Sequence, residues 1–129
     1  MIVLDTSALV SILRRERDAD RLLDALAAVP SCQVSAGTLL EAMVVMRARH
    51  GDEGVRDLRL LLQAANAQVE PFDEEQAEIG MSAFECCGQG RHPAALNLGD
   101  IFAYALATHG GAPLLYVGED FAQTDVRSA

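Results

Sequence analysis

Short apolar runs at 2–4, 32–35, 67–72 and 114–117 alternate with longer amphipathic segments, with no internal repeat, low-complexity tract or linker between them. Strands separated by helix-length segments are not joined by tight hairpins, so they pair most simply in parallel, with the helices covering both faces of the sheet. The expected class is therefore α/β: a three-layer α/β/α sandwich around a central, mainly parallel sheet of four to five short strands. A chain of 129 residues fits one domain, 1–129. Ala and Leu dominate and only 5% of residues are aromatic, which favours helices over a sandwich of aromatic strands.

Local signals refine this outline. Thr6 and Ser7 are expected to cap a short helix ending near Leu13, and Asp18 a second helix with Leu22, Leu23, Leu26 and Val29 on one face. Helices over 38–50 and 55–65, separated by GDEG, should pack as an antiparallel hairpin. Pro71 ends the third strand or places it at an edge, and Asp73 with Gln76 resembles a capping box. The stretch 88–96 is the clearest loop, after which Asn97 caps a helix that stops at Gly110 and Gly111.

Charge and composition remove several function classes. The net charge is −9 and all ten basic residues are Arg, so diffuse electrostatic attraction to nucleic acid is not expected. A polyanionic substrate would need local Arg clusters or metal ions. No apolar run approaches the roughly 20 residues of a membrane span, and Asp5 interrupts the N-terminal run before a secretory core forms, so a cytoplasmic protein with no membrane partner is expected. Cys32, Cys86 and Cys87 suit neither a disulfide framework nor a zinc site, and are expected to be reduced core residues.

Four acids stand at element termini beside apolar sequence: Asp5 after the first strand, Glu41 and Asp100 early in their helices, and Asp120 after the last strand. In an open parallel sheet, functional groups gather beyond the carboxyl ends of the strands, where Asp5 and Asp120 both fall. Each acid also has a purely structural reading. Thr38 with Glu41, and Asn97 with Asp100, match capping boxes; Asp5 matches a helix cap and Asp120 a turn residue. An ionised Asp5 at the end of a buried strand is nevertheless costly unless paired or metal-bound. Clustered carboxylates repel unless a proton or a divalent ion intervenes, and hard oxygen ligands suit Mg²⁺ or Mn²⁺. Such a site can activate water against a phosphodiester.

The order and flanks of these acids, in MIVLDTSALV, TLLEAMVV, the RH loop with NLGDIFAYALA, and LLYVGEDFAQTD, resemble the PIN-domain ribonucleases, and among them the VapC toxins of bacterial toxin–antitoxin pairs. The resemblance spans essentially the whole chain. It implies a Mg²⁺-dependent endoribonuclease, with Mn²⁺ as an alternative ion, in which Asp5, Glu41, Asp100 and Asp120 are the catalytic and metal-binding acids. Thr6 or Ser7 then matches the hydroxyl that orients the first acid, Asn97 the residue before the third, and Glu119 is the rival of Asp120 for the fourth place. The resemblance also implies an RNA substrate, a VapB-type antitoxin that blocks the site, and a homodimer.

On this reading Asp5 and Asp100 bind Mg²⁺ directly, while Glu41 and Asp120 hold a second ion, its waters or the attacking water. Arg47, Arg49, Arg91 and His92 are the candidates for holding RNA, since Arg suits phosphate recognition. A phospho-acceptor signalling domain would also gather acids above a parallel sheet, but it needs a lysine and the chain has none. A haloacid-dehalogenase-type phosphatase would want a second Asp where Ser7 stands. A non-catalytic PIN-like interaction domain remains the other alternative. A histidine-driven nuclease finds no paired spacing among His50, His92 and His109.

Overall fold

The computed structural model describes residues 1–87, 96–122 and 124–129, the side chain of Cys87 excepted. The chain runs β1 (Ile2–Leu4), α1 (Thr6–Leu13), α2 (Ala19–Ala27), β2 (Cys32–Ser35), α3 (Ala36–Ala64), β3 (Ala67–Glu70), α4 (Glu74–Cys87), α5 (Leu98–Gly110) and β4 (Leu114–Leu115). All strand pairings are parallel, in the order β3-β2-β1-β4, with Ile2 opposite Cys32 and Val3 opposite Leu114. The three-layer parallel architecture expected from the alternation of segments is borne out. Beyond β4 the C-terminal residues add one parallel bridge, Leu114 to Ser128, secured by a bond from the Leu114 N–H to the Arg127 carbonyl at 2.7 Å.

The period of two along the strands builds two cores. Ile2, Leu4, Val34 and Leu115 pack with Leu9, Leu22, Leu58 and Leu62 from α1, α2 and α3. Val3 and Leu114 point the other way, onto Ile101, Leu106, Phe121 and Ala83. β1 is buried on both faces, which is why its sequence is continuously apolar. Among the described residues no helix is long and apolar enough to cross a membrane.

Several local expectations shift by a residue or more. The cap of α1 is Asp5, not Thr6 or Ser7: its side chain accepts the Ser7 N–H. α3 begins at Ala36 with Ser35 as its cap, so Thr38 and Glu41 lie inside the helix and form no capping box. The last strand is two residues long, not four, because Tyr116 and Val117 leave the ladder and the Val117 N–H turns to the Ser7 hydroxyl at 2.9 Å. Cys32 is buried as expected, whereas Cys86 is exposed on the outer face of α4.

The hairpin of helices is real, although its arms are consecutive in one helical span. Gly51 breaks that span with φ 64° and ψ −152°. A straight helix would separate Met43 and Arg59 by about 24 Å, yet the Arg59 guanidinium reaches the Met43 sulfur at 4.0 Å. A Cβ placed on Gly54 would lie 2.6 Å from the Met46 carbonyl oxygen, so the second arm folds tightly onto the first. The Gly51 conformation is one that only glycine adopts readily. Gly51→Ala should cost about 1–3 kcal/mol, read as a lowered urea midpoint at unchanged slope.

Candidate active site

The strand order fixes where a site can form. The chain lays β1, β2 and β3 outward in one direction, then crosses to place β4 on the other side of β1. The loops leaving β1 and β4 therefore diverge, opening a crevice above their carboxyl ends. Asp5 stands at that point, its N–H bonded to the Leu115 carbonyl at 3.0 Å.

Asp5 is 3% exposed. Its Oδ2 accepts the Ser7 hydroxyl at 2.6 Å and the Ser7 N–H at 3.1 Å, while its Oδ1 is buried with no partner. Burial pushes its carboxyl up to about 6; the Ser7 hydrogen bonds oppose the rise and the Glu41 charge adds to it. Because Ser7 also accepts the Val117 N–H, one hydroxyl ties Asp5 to the segment leading to Asp120.

The remaining acids arrive from three other elements. Glu41, half-buried on α3, accepts the Thr6 hydroxyl on Oε1 at 2.5 Å, so Thr6 and Ser7 each hold a different acid. Asp100 is buried in the first turn of α5, where it forms a true capping box: its Oδ2 accepts the Asn97 N–H at 3.0 Å and its N–H donates to Asn97 Oδ1 at 2.9 Å. That cap does not neutralise it. Burial raises its carboxyl, and the charges of Asp5 and Asp120 and a hydrogen bond shared with Asp120 raise it further. The like charges around Asp100 mark this place as short of positive charge.

Asp120, exposed itself, is anchored by the next residue, Phe121, which is buried against Tyr116 with ring centroids 5.0 Å apart. Of the adjacent acids it is Asp120 that reaches Asp100, while Glu119 is exposed in the bend before it. The crevice thus collects Asp5, Glu41, Asp100 and Asp120. It does not collect Arg47, which is exposed and ion-paired to Asp52 at 2.9 Å, at the hairpin turn. Arg49 is exposed about 12 Å further along α3 than Glu41. Arg91 and His92 lie outside the described residues.

The donor set suits a hard divalent cation: carboxylate oxygens only, one of them buried without a partner, with like charges gathered around Asp100. Among the described residues no three His, Cys, Asp or Glu side chains stand close enough together to hold one ion between them. Mg²⁺ does not demand such closeness, since it keeps several of its waters.

One participant is absent from the expectations above. Gly99 lies between the cap and Asp100, and a Cβ placed on it would stand 2.0 Å from Glu41 Oε2. Its signal in the sequence is a glycine in the first turn of a helix, a poor helix former where backbone approaches something closely.

A crevice of acids at the switch point of a β3-β2-β1-β4 parallel sheet is the arrangement of a PIN domain, and the PIN-domain family model matches residues 2–127. Similar folds include VapC20 of Mycobacterium tuberculosis, a sarcin–ricin loop cleaving toxin, with TM-score 0.81 and 15% identity over 100% of this chain and 98% of that one. VapBC2 from Rickettsia felis, bound to a DNA fragment from its promoter, gives 0.75 and 16% over 100% and 98%. In sequence, the ribonuclease VapC of Mycolicibacterium smegmatis is 45% identical over 125 residues, 97% of each protein. The chain belongs to the PIN-domain family, among its VapC ribonucleases.

Proposed function

We propose that this chain is a Mg²⁺-dependent endoribonuclease toxin, able to use Mn²⁺, that hydrolyses RNA phosphodiester bonds at Asp5, Glu41, Asp100 and Asp120. The observation that carries the proposal is buried Asp5 at the switch point, with one oxygen unpartnered and the Asp100 and Glu41 charges beside it. A ribonuclease relative at 45% identity supports the reaction class.

A divalent ion bound there supplies the charge that acidifies a water and offsets the developing charge of the phosphodiester. Asp5 and Asp100 would hold that ion, with Asp120 beside Asp100 to hold a water or a second ion. Thr6 keeps the Glu41 carboxylate aimed at the same space, where it would orient a water or a second ion. Ser7 fixes Asp5 by holding its Oδ2 and leaving Oδ1 free. Hydrolysis of this kind uses no RNA 2′-hydroxyl and leaves a 5′ phosphate.

An antitoxin partner of VapB type is part of the proposal, supported by fold neighbours described as toxin–antitoxin assemblies. The net charge of −9 suits a basic inhibitory segment, and a cytoplasmic location goes with an RNA substrate. Leu40, Val44, Met81 and Leu98, each more than half exposed, support burial of apolar surface in a homodimer.

The purified protein should cleave RNA with Mg²⁺ or Mn²⁺, give 5′-phosphorylated fragments, and stop on chelation. Asp120→Ala should lose at least tenfold more activity than Glu119→Ala, since Asp120 is the one that meets Asp100. Cleavage that survives chelator, or cyclic phosphate products, would refute the proposal.

A further inference from the structure

We infer that Gly99 is a positioning residue: its missing side chain leaves the space in which the Glu41 carboxylate must sit, against the first turn of α5. The inference rests on the reading of Glu41 as an acid of the metal site. A Cβ on Gly99 would lie 2.0 Å from Glu41 Oε2, 2.5 Å from its Cδ and 2.6 Å from its Oε1. All three atoms are too close, so the carboxylate cannot make room by rotating about its own bond. It must retreat by about 1 Å, and Oε1 is the atom that takes the Thr6 hydroxyl. Thr6 from α1 and Gly99 from α5 therefore hold the same group, one by attraction and one by vacancy.

The approach of the two helices is set by a pair of glycines. A Cβ on Gly37, one turn earlier on α3, would stand 2.5 Å from the Phe102 ring, one turn later on α5. There the obstacle is a packed aromatic ring, itself edge-on to Phe72 at 4.9 Å, so Gly37 serves packing. At Gly99 the obstacle is the mobile end of a side chain, which can be displaced with little strain on the fold. Helix propensity alone would favour Ala over Gly there. A glycine placed against that preference, with the Glu41 carboxylate in the space it leaves, points to the site.

The test is a double-mutant cycle read by Mn²⁺ binding, followed through the electron spin resonance of free Mn²⁺, together with RNA cleavage and metal-free melting. Gly99→Ala should weaken both binding and cleavage by about 10–100-fold, without lowering the metal-free melting temperature. In a Glu41→Asp background, whose carboxylate is drawn back by about 1.5 Å, adding Gly99→Ala should change either readout by less than about twofold. Equal losses in both backgrounds, or a loss accompanied by a lower melting temperature, would make Gly99 a packing residue and overturn the inference. Glu41→Gln separates the two failures. If it is crippled while Gly99→Ala is not, the inference alone is wrong; if it binds Mn²⁺ and cleaves normally, the role of Glu41 falls and the inference with it.

Discussion

Asp5→Asn should abolish RNA cleavage while leaving the fold intact. Asn caps helices as well as Asp does, and its amide oxygen can accept the Ser7 N–H, so α1 keeps its start. What disappears is one negative charge at the point where the loops from β1 and β4 diverge. The expected loss is roughly 10³-fold or more in cleavage rate, about 4 kcal/mol of transition-state stabilisation, with Mn²⁺ affinity falling in parallel. Far-UV circular dichroism and metal-free melting should show a variant at least as stable as the parent. An active variant that no longer needs metal would remove Asp5 from the mechanism.

The second large effect concerns stability without metal. Asp5 titrates near 3.8 when unfolded and at about 6 when folded, so between these values the unfolded chain has already lost a proton that the folded one retains. Stability from this group is fully present below the lower value and is lost as pH rises through the upper one, a difference of about 3 kcal/mol. Compared with Asp5→Asn, metal-free protein should therefore lose about 10 °C of melting temperature between pH 4 and pH 7. Asp100, also raised by burial, acts in the same direction. Millimolar Mg²⁺ or Mn²⁺ at neutral pH should restore much of the loss, because an ion held only by the folded cluster would favour the folded state. A pH dependence identical in parent and variant, with no response to metal, would show that the cluster carries no buried charge.

Metal-bound and metal-free chain would thus differ in more than activity. The acids that would hold the ion are the ones that burden the fold when it is absent. Three of them are tied down by local groups of opposite purpose: Ser7 secures Asp5, Thr6 secures Glu41, and Asn97 secures Asp100. Each tie satisfies one oxygen, which leaves the carboxylates oriented but not neutralised.

The sequence by itself determined the parallel α/β layering, because strand and helix periods are local and the alternation of segments leaves few topologies. It also determined the order of the acids and their places at element ends. Only the tertiary structure decided which of those acids meet and which local partners hold them. Thr38–Glu41 and Asn97–Asp100 carry the same capping pattern, yet the first dissolves because α3 starts at Ala36 with Ser35 as its cap, and the second persists while Asp100 also meets Asp5 and Asp120. Glu119 and Asp120 could not be separated until Phe121 entered the core and fixed the turn. Arg47 read as a candidate for holding RNA, and only the fold shows it paired with Asp52 beside the break at Gly51. Gly99 was invisible for the same reason: a missing side chain has meaning only once Glu41, 58 positions earlier in the chain, is found in the space it leaves. The contacts of Gly99 with Glu41 and of Asp100 with Asp5 join residues far apart in sequence, and no local pattern encodes them.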